Sequence, residues 1–469
     1  MLLDLNRFSR PVFKKETRLL VLLALPMLLA QVAQVGIGFV DTVMAGGAGK
    51  EDLAAVALGS SAFATVYITF IGIMTALNPM IAQLDGAGKT AEVAETGRQG
   101  LWFGLALGVA GMLLLWAVIV PFQNWLELSD YVESMMADYM FFTGLAMPAA
   151  MMHRALHAYA SSLNRPRVIM LVSFAAFALN VPLNYAFVYG KFGMPALGGA
   201  GCGVATAMVF WFSAAALWLY IAKQTYFRRY GLTDRFSKPD RAAFMQIWKL
   251  GAPIGLSYFL EASAFTSIVF LVARLGENYV AAQQVVISLT SIIYMIPQSV
   301  GAAATVRVGY SLGRREFQRA RYISGVSLLL GLALACLTAV LLVLLRTPLA
   351  AIYTDDAAVI QIAATVLLFA AVFQLADSTQ CIAAYALRGY KITTAPMVVH
   401  AVAFWGCGLL PGYWLAYGAG MGIYGFWTAL IVSLFIAAFA LMWCLEKCSL
   451  AHIRSHRNGL LAKRKPKAV

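Results

Sequence analysis

"LPMLLAQVAQVGIGFVDTVMAG", Leu25 to Gly46, has the length and composition of one membrane-crossing helix. Within it stand Gln31, Gln34 and the acid Asp41. Positions 31, 34, 38 and 41 keep the 3-4-3 spacing of a single helix face, so two amides, a glycine and a carboxylate form one stripe. The other faces can meet lipid. An acid at bilayer depth costs at least ~2.5–3.5 kcal/mol on insertion scales, so the stripe must look into a polar space.

The same kind of segment recurs. Of 469 residues, 61% are apolar and 12% are charged, whereas a soluble chain carries about 25% charged residues. Twelve apolar runs of membrane length can be counted, centred near Leu29, Tyr67, Val109, Pro148, Leu179, Ser213, Leu260, Ser291, Leu334, Phe373, Cys407 and Phe435. The predicted fold class is an all-α integral membrane protein with twelve transmembrane helices. The first run has a basic lead, yet it is too long and too polar-striped for a signal peptide and is expected to be retained. With the amino terminus placed in the cytoplasm, all Lys and Arg except Lys50, Lys191, Arg274 and Arg346 fall on the inner side, while the acids divide evenly. That is the positive-inside bias, and it explains the net charge of +14 without nucleic acid. The basic end "KRKPKAV" reads as facing anionic lipid.

The longest inward loop, "KQTYFRRYGLTDRFSKPDR" (Lys223–Arg241), divides the chain into two sets of six helices. Predicted boundaries are an amino-terminal lobe over 1–222, a cytoplasmic linker over 223–246, a carboxy-terminal lobe over 247–446 and a basic cytoplasmic tail over 447–469. The halves align weakly at an offset of 227: Pro26 meets Pro253, Tyr67 meets Tyr294, and Gln34 meets Glu261. Six helices per half start both halves on the same side, so an axis along the membrane normal relates them. Each proline removes a backbone hydrogen bond and permits a bend.

Three acids, Asp41, Glu261 and Asp377, lie within the predicted helices, and no Lys or Arg falls mid-helix to pair with them. Their expected partner is mobile: an inorganic ion, a proton or a cationic substrate. Ser257 and Phe265 share the face of Glu261. Gln284, Ser288 and Ser291 form a stripe with Tyr294 close by, and Phe373, Asp377 and Gln380 form another. Two carboxylates, amide oxygens and an aromatic face suit a hard monovalent cation. Asp355 and Asp356, in "YTDDAAV", read either as a solvated helix cap or as an acidic mouth that attracts organic cations.

Other motifs carry little chemistry. "LDGAGKT" (84–90) has Gln83 where a phosphate loop needs glycine. His153 and His157 have metal spacing but no third ligand. The six cysteines show neither metal nor disulfide spacing. Gly100, Gly104 and Gly108 form a small-residue stripe for close helix packing. Neither a HExxH motif nor a paired-acid protease motif is present, so an enzyme is not expected.

"LALPMLLAQVAQVGIGFVDTVMAG", "GAPIGLSYFLEASAF" and "FQLADSTQCIAAYALRG" resemble the multidrug and toxic compound extrusion (MATE) family, in its NorM branch, and the likeness covers the whole chain. The resemblance implies two pseudo-symmetric six-helix lobes forming a V. It implies a secondary active antiporter of a bacterial inner membrane, with both termini cytoplasmic. Such a protein exports amphipathic organic cations by alternating access in exchange for inward Na+ or H+. No cofactor beyond the coupling ion is implied, and the expected partners are small cations and membrane lipids around a monomer. The second lobe's cation site falls on Glu261 and Asp377, as a Na+ site, with Tyr294 nearby. A first-lobe cluster falls on Asp41, Asn180, Asn184 and Thr206, but position 184 is often an acid in the family and is Asn here. That departure favours the second lobe for the ion and leaves Asp41 to meet substrate or to titrate. Substrate contacts are expected from Asp41, Asp355, Asp356, Gln34, Gln284, Ser288 and Phe265. A lipid-linked-precursor flippase of related architecture is the rival reading; it needs a basic cavity, and the intramembrane charges here are acidic.

Overall fold

A computed structural model describes residues 9–126 and 129–464. All regular structure among them is helical. In order the elements are α1 (Arg10–Ala48), α2 (Lys50–Met74), α3 (Leu77–Gly86), α4 (Thr90–Leu126), α5 (Asp130–Ser162), α6 (Arg167–Tyr189), α7 (Gly199–Lys223), α8 (Thr225–Arg228), α9 (Arg241–Val272), α10 (Glu277–Gly313), α11 (Phe317–Ala351), α12 (Ala357–Gly389), α13 (Thr394–His400), α14 (Leu410–Tyr413) and α15 (Ile423–Arg464). Each of the twelve expected run centres falls in a different membrane-length segment. Among the described residues, eleven segments are long and apolar enough by themselves to cross a membrane. The twelfth, α5, has 33 residues, but Asp138, Thr143, Gly144 and Pro148 dilute its apolar stretch. The tail expected from 447 continues α15 as helix to Arg464, and 465–469 lie outside the described residues.

Two segments depart from regular α-helix for identifiable reasons. Between α2 and α3 the helix breaks at Thr75 and Ala76. Pro79, four residues on, lacks an N–H and its ring crowds the Thr75 carbonyl. The eleventh segment passes from α13 into π-helix at Ala401–Leu409, through α14, and into π-helix again at Trp414–Gly418. Pro411 and the glycines at 406, 408, 412 and 418 weaken the i→i−4 ladder there, and such π turns concentrate at functional sites.

The chain divides into two compact units. One comprises Leu25–Asp85 and Lys89–Leu256; the other comprises Met1–Ala24, Gly86–Gly88 and Ser257–Val469. The divisions fall inside α1, just before Pro26, and inside α9, just after Pro253, and not at the Lys223–Arg241 loop. In the first unit α5 is the central helix, packed on α2, α4 and α7. The stripe on α4 works as expected: a Cβ at Gly104 would stand 2.8 Å from the Met151 carbonyl oxygen, and one at Gly108 would stand 2.7 Å from that of Met147. The loop after α8 belongs to this unit and is clipped to α4. Ser237 donates to Glu95 (2.6 Å), Arg98 Nη1 donates to the Gly231 carbonyl (2.8 Å), and Gln99 bridges the backbones of Lys238 and Asp240. In the second unit α12 is central, packed on α10, α11 and α15. There Leu20, Leu23 and Ala24 from the start of α1 bury among Val300, Ala303 and Ile382, and Glu16 pairs with Arg307 and Arg319.

Candidate ion and substrate sites

In the first unit three helices converge on Asp41, which is buried. Asn180 and Asn184 stand one turn apart on α6, on either side of Pro182, and both donate to Asp41 Oδ1, at 3.1 and 2.6 Å. From α7, Thr206 donates to Asp41 Oδ2 at 3.1 Å. The structure therefore brings together all four residues of the expected cluster. Because Asp41 fixes which way both amides turn, Asn180 Oδ1 and Asn184 Oδ1 point away, buried and with no hydrogen-bond partner. The cluster thus holds one carboxylate and two unpaired carbonyl oxygens, an oxygen-rich set suited to a cation or a hydrogen-bond donor. Gln34, two turns before Asp41 on α1, is half-buried. Elsewhere in the unit, Tyr67 stacks on Phe63 (5.3 Å) and meets Phe210 edge-on (5.5 Å), giving an aromatic wall.

In the second unit, Glu261 on α9 is half-buried and Asp377 on α12 is buried. The two carboxylates are close enough for the charge of Asp377 to act on Glu261, and the Tyr294 hydroxyl of α10 faces Glu261. Gln380 Nε2 donates to Asp377 Oδ1 at 3.0 Å. Its oxygen then accepts from His400 Nε2 at 2.9 Å, which puts the imidazole proton on that nitrogen and leaves Nδ1 buried without a partner. Gln374 also keeps a buried amide nitrogen unpartnered. No cluster of three or more His, Cys, Asp or Glu side chains arranged for a metal occurs among the described residues. A cation between Glu261 and Asp377 would therefore be completed by neutral oxygens such as that of Tyr294.

The remaining expected residues fall as follows. Phe265 meets Phe373 edge-on (6.2 Å) and tilts against Phe404 (6.1 Å), joining the packed core around α12. Gln284 is exposed, and the Ser288 hydroxyl donates back to its carbonyl at 2.8 Å. Asp355 is exposed. Asp356 is the N-cap of α12 and accepts from Ala358 and Val359 at 2.8 and 3.3 Å. The cap reading of "YTDDAAV" thus describes Asp356 as built.

Two residues escaped sequence reasoning. His400 lies in another segment from Gln380, and no spacing rule links them. Arg388, in the last turn of α12, is 4% exposed, so a buried cation does exist in this unit. Its direct partners are tyrosines: it donates to Tyr258 Oη (2.9 Å), lies over the Tyr385 ring (4.1 Å), and the two hydroxyls share a 2.6 Å hydrogen bond. It acts on Glu261 only through space. None of the ion pairs among the described residues involves Asp41, Glu261 or Asp377.

The sequence profile of the MatE family matches residues 26–186 and 253–414, opening each time at one of the paired prolines. A "Probable multidrug resistance protein NorM" from Neisseria meningitidis serogroup B is 77% identical over 97% of this chain and 100% of its own. The "Multidrug resistance protein PmpM" of Pseudomonas aeruginosa is 38% identical over 97% of this chain and 96% of its own. A solved complex of "MATE transporter NorM-NG" that includes a monobody is 72% identical, covers 92% of this chain and 95% of its own, and superposes with a TM-score of 0.81.

Proposed function

Because the chain belongs to the MatE family, as a multidrug efflux transporter of the NorM type, we propose that it is a secondary active antiporter that expels amphipathic organic cations in exchange for inward Na+ or H+. The observation that carries the reading is the Glu261–Asp377 pair. Two carboxylates sit near one another in the second unit, neither is ion-paired with a Lys or Arg among the described residues, and one is half-open. Ionised together they repel, and a shared monovalent cation or proton removes the repulsion. Tyr294 supplies a hydroxyl and a ring face, and the Gln380–His400 pair holds Asp377 in one orientation. Binding and release of the ion then changes the local charge by one unit, enough to bias a two-state element such as the π-helical segment that begins beside His400.

A second reading gives the first unit a coupling role as well. The buried, unpaired carbonyl oxygens of Asn180 and Asn184 favour it, because a half-turn of both amides would bring these oxygens and Asp41 onto one cation.

Organic cations are the proposed cargo because the intramembrane acids outnumber free intramembrane cations, and the fluorescent cationic dye rhodamine 6G is a suitable probe. The enzyme class is excluded by the family. Both termini and the Lys223–Arg241 loop are placed in the cytoplasm on the distribution of Lys and Arg. The test is transport of this dye by purified protein in liposomes, with a Na+ gradient or a pH gradient imposed alone. One of the two gradients should drive dye movement, and Glu261→Gln or Asp377→Asn should abolish it. Equal transport with no gradient, or undiminished coupling in both variants, refutes the proposal.

A further inference from the structure

The first unit carries a second concave site, of opposite sign to the acid clusters. It is a groove of about 540 Å³ over the helices α4, α5 and α7 and under the loop that follows α8. Its lining includes Met152 and Leu156 of α5. Its walls include Leu101 and Leu105 of α4 and Trp211 and Trp218 of α7, and the small side chains of Ala214 and Ala215 open the space between. All of that is apolar. At one end the lining changes character: Thr233, Arg235, Phe236 and Ser237 of the loop, with Arg98, form a polar, basic rim.

The loop wall is a built feature. Trp102 Nε1 donates to the Ser237 carbonyl at 2.8 Å, and the Trp102 and Phe236 rings meet edge-on at 5.7 Å. Arg98 is consumed in this clip, bonded to Glu95, Ser237 and the loop carbonyls. Arg235 differs: it is exposed and makes no ion pair among the described residues. The loop as a whole carries six Lys or Arg against Asp234 and Asp240.

We propose that this groove binds one anionic phospholipid of the leaflet that meets the loop, with an acyl chain along Trp211, Trp218 and Leu105 and the phosphate at Arg235. Three observations select this occupant. Trp211 and Trp218 are exposed on a membrane-crossing helix, so the medium over the groove is lipid. The lining is apolar along its length and basic at one end only, which is the polarity of a single lipid with a negative head. The basic rim repels organic cations, which separates this site from that of the exported cargo. The Trp102 indole, bonded to the Ser237 carbonyl, stands where the apolar lining meets the polar rim, in keeping with the interfacial preference of Trp. A lipid seated there would brace the loop against α4 and α7.

Native mass spectrometry of the full-length protein reads the proposal, with a phosphatidylglycerol and a phosphatidylcholine of identical acyl chains as probes. A single phosphatidylglycerol should be retained in preference to phosphatidylcholine. Arg235→Gln should reduce that retention about fivefold, the value of one basic side chain beside an anionic surface, and Arg235→Lys should restore it. Ala215→Phe fills the groove without touching charge and should lower retention of both lipids. Arg314→Gln, at an exposed arginine of the other unit, should change nothing. Equal retention of the two lipids in wild type overturns the proposal. So does phosphatidylglycerol preference that survives both Arg235→Gln and Ala215→Phe, and so does displacement of the lipid by rhodamine 6G, which would make the groove a cargo site. No ion gradient enters this measurement, and Glu261→Gln protein should retain lipid as wild type does, so its outcome is independent of the coupling mechanism.

Discussion

Asn184→Asp is the most informative single change at the Asp41 cluster, because it replaces a donor by a second acid at a known distance. In the native protein Asn184 Nδ2 stands 2.6 Å from Asp41 Oδ1 and donates to it. A carboxylate oxygen at that separation, with both groups ionised, would repel by about 6 kcal/mol at an effective dielectric of 20. Asn180 and Thr206 still donate, and a typical hydrogen bond to a charged group contributes about 1.5–3 kcal/mol, so together they do not clearly offset the repulsion. The variant must therefore take up a cation or a proton, or lose stability. Ligand at a hundredfold its Kd stabilises by about 2.7 kcal/mol. Thermal unfolding of purified Asn184→Asp protein should accordingly become dependent on Na+ at neutral pH, and in Na+-free buffer it should be rescued by acid. The wild-type transition should respond much less to either. A variant whose melting ignores both Na+ and pH would mean that the two side chains separate freely and that the cluster is not held as described.

Other outcomes follow from the same geometry. His400→Phe removes the partner of Gln380 and should weaken the Na+ dependence of dye transport by about two- to tenfold, the value of one neutral hydrogen bond; His400→Gln should recover most of it, and equal half-saturation in both variants would disconnect His400 from Asp377. Gly108→Leu forces a side chain against the Met147 backbone and should destabilise by about 1–3 kcal/mol, read as a lowered melting temperature, whereas Gly38→Ala, with nothing within 4 Å of its Cβ position, should be neutral. Thr233→Cys, exposed in the central loop, should resist a membrane-impermeant maleimide in intact cells and react in inverted vesicles; labelling from outside would reverse the proposed orientation.

Much of this was legible beforehand because membrane chemistry leaves few choices. Backbone polar groups must be satisfied within each segment, so apolar runs translate directly into helices, and every expected centre lies in its own segment. Likewise an acid at depth needs a reason, and Asp41, Glu261 and Asp377 each stand at the heart of a polar cluster. What sequence could not supply was the pairing of side chains across helices. The Gln380–His400 bond joins residues on separate segments. Arg388 lies in the last turn of α12, where sequence gives no sign that the Tyr258–Tyr385 pair covers it. Phe265 shares a helix face with Glu261, but aromatic neighbours from α12 and the eleventh segment draw its ring into the core, and periodicity does not see those partners. The division within α1 and α9 was equally hidden, since a long polar loop (Lys223–Arg241) is conspicuous in sequence and a change of packing partner along a helix is not.

That division has a consequence for biogenesis. Leu20, Leu23 and Ala24 leave the ribosome well before their burial partners, which begin at Val300 and run to Leu445. At a synthesis rate of about 5–20 residues per second, the start of α1 waits roughly 15–55 s for the first part of its packing surface and roughly 20–85 s for all of it. The first unit, in turn, is not complete when the central loop emerges, since it also claims 241–256 from the next helix. A chain cut at the loop would thus yield two fragments that each lack a helix segment held by the other. Neither should accumulate when expressed by itself, and the two should restore each other when made together.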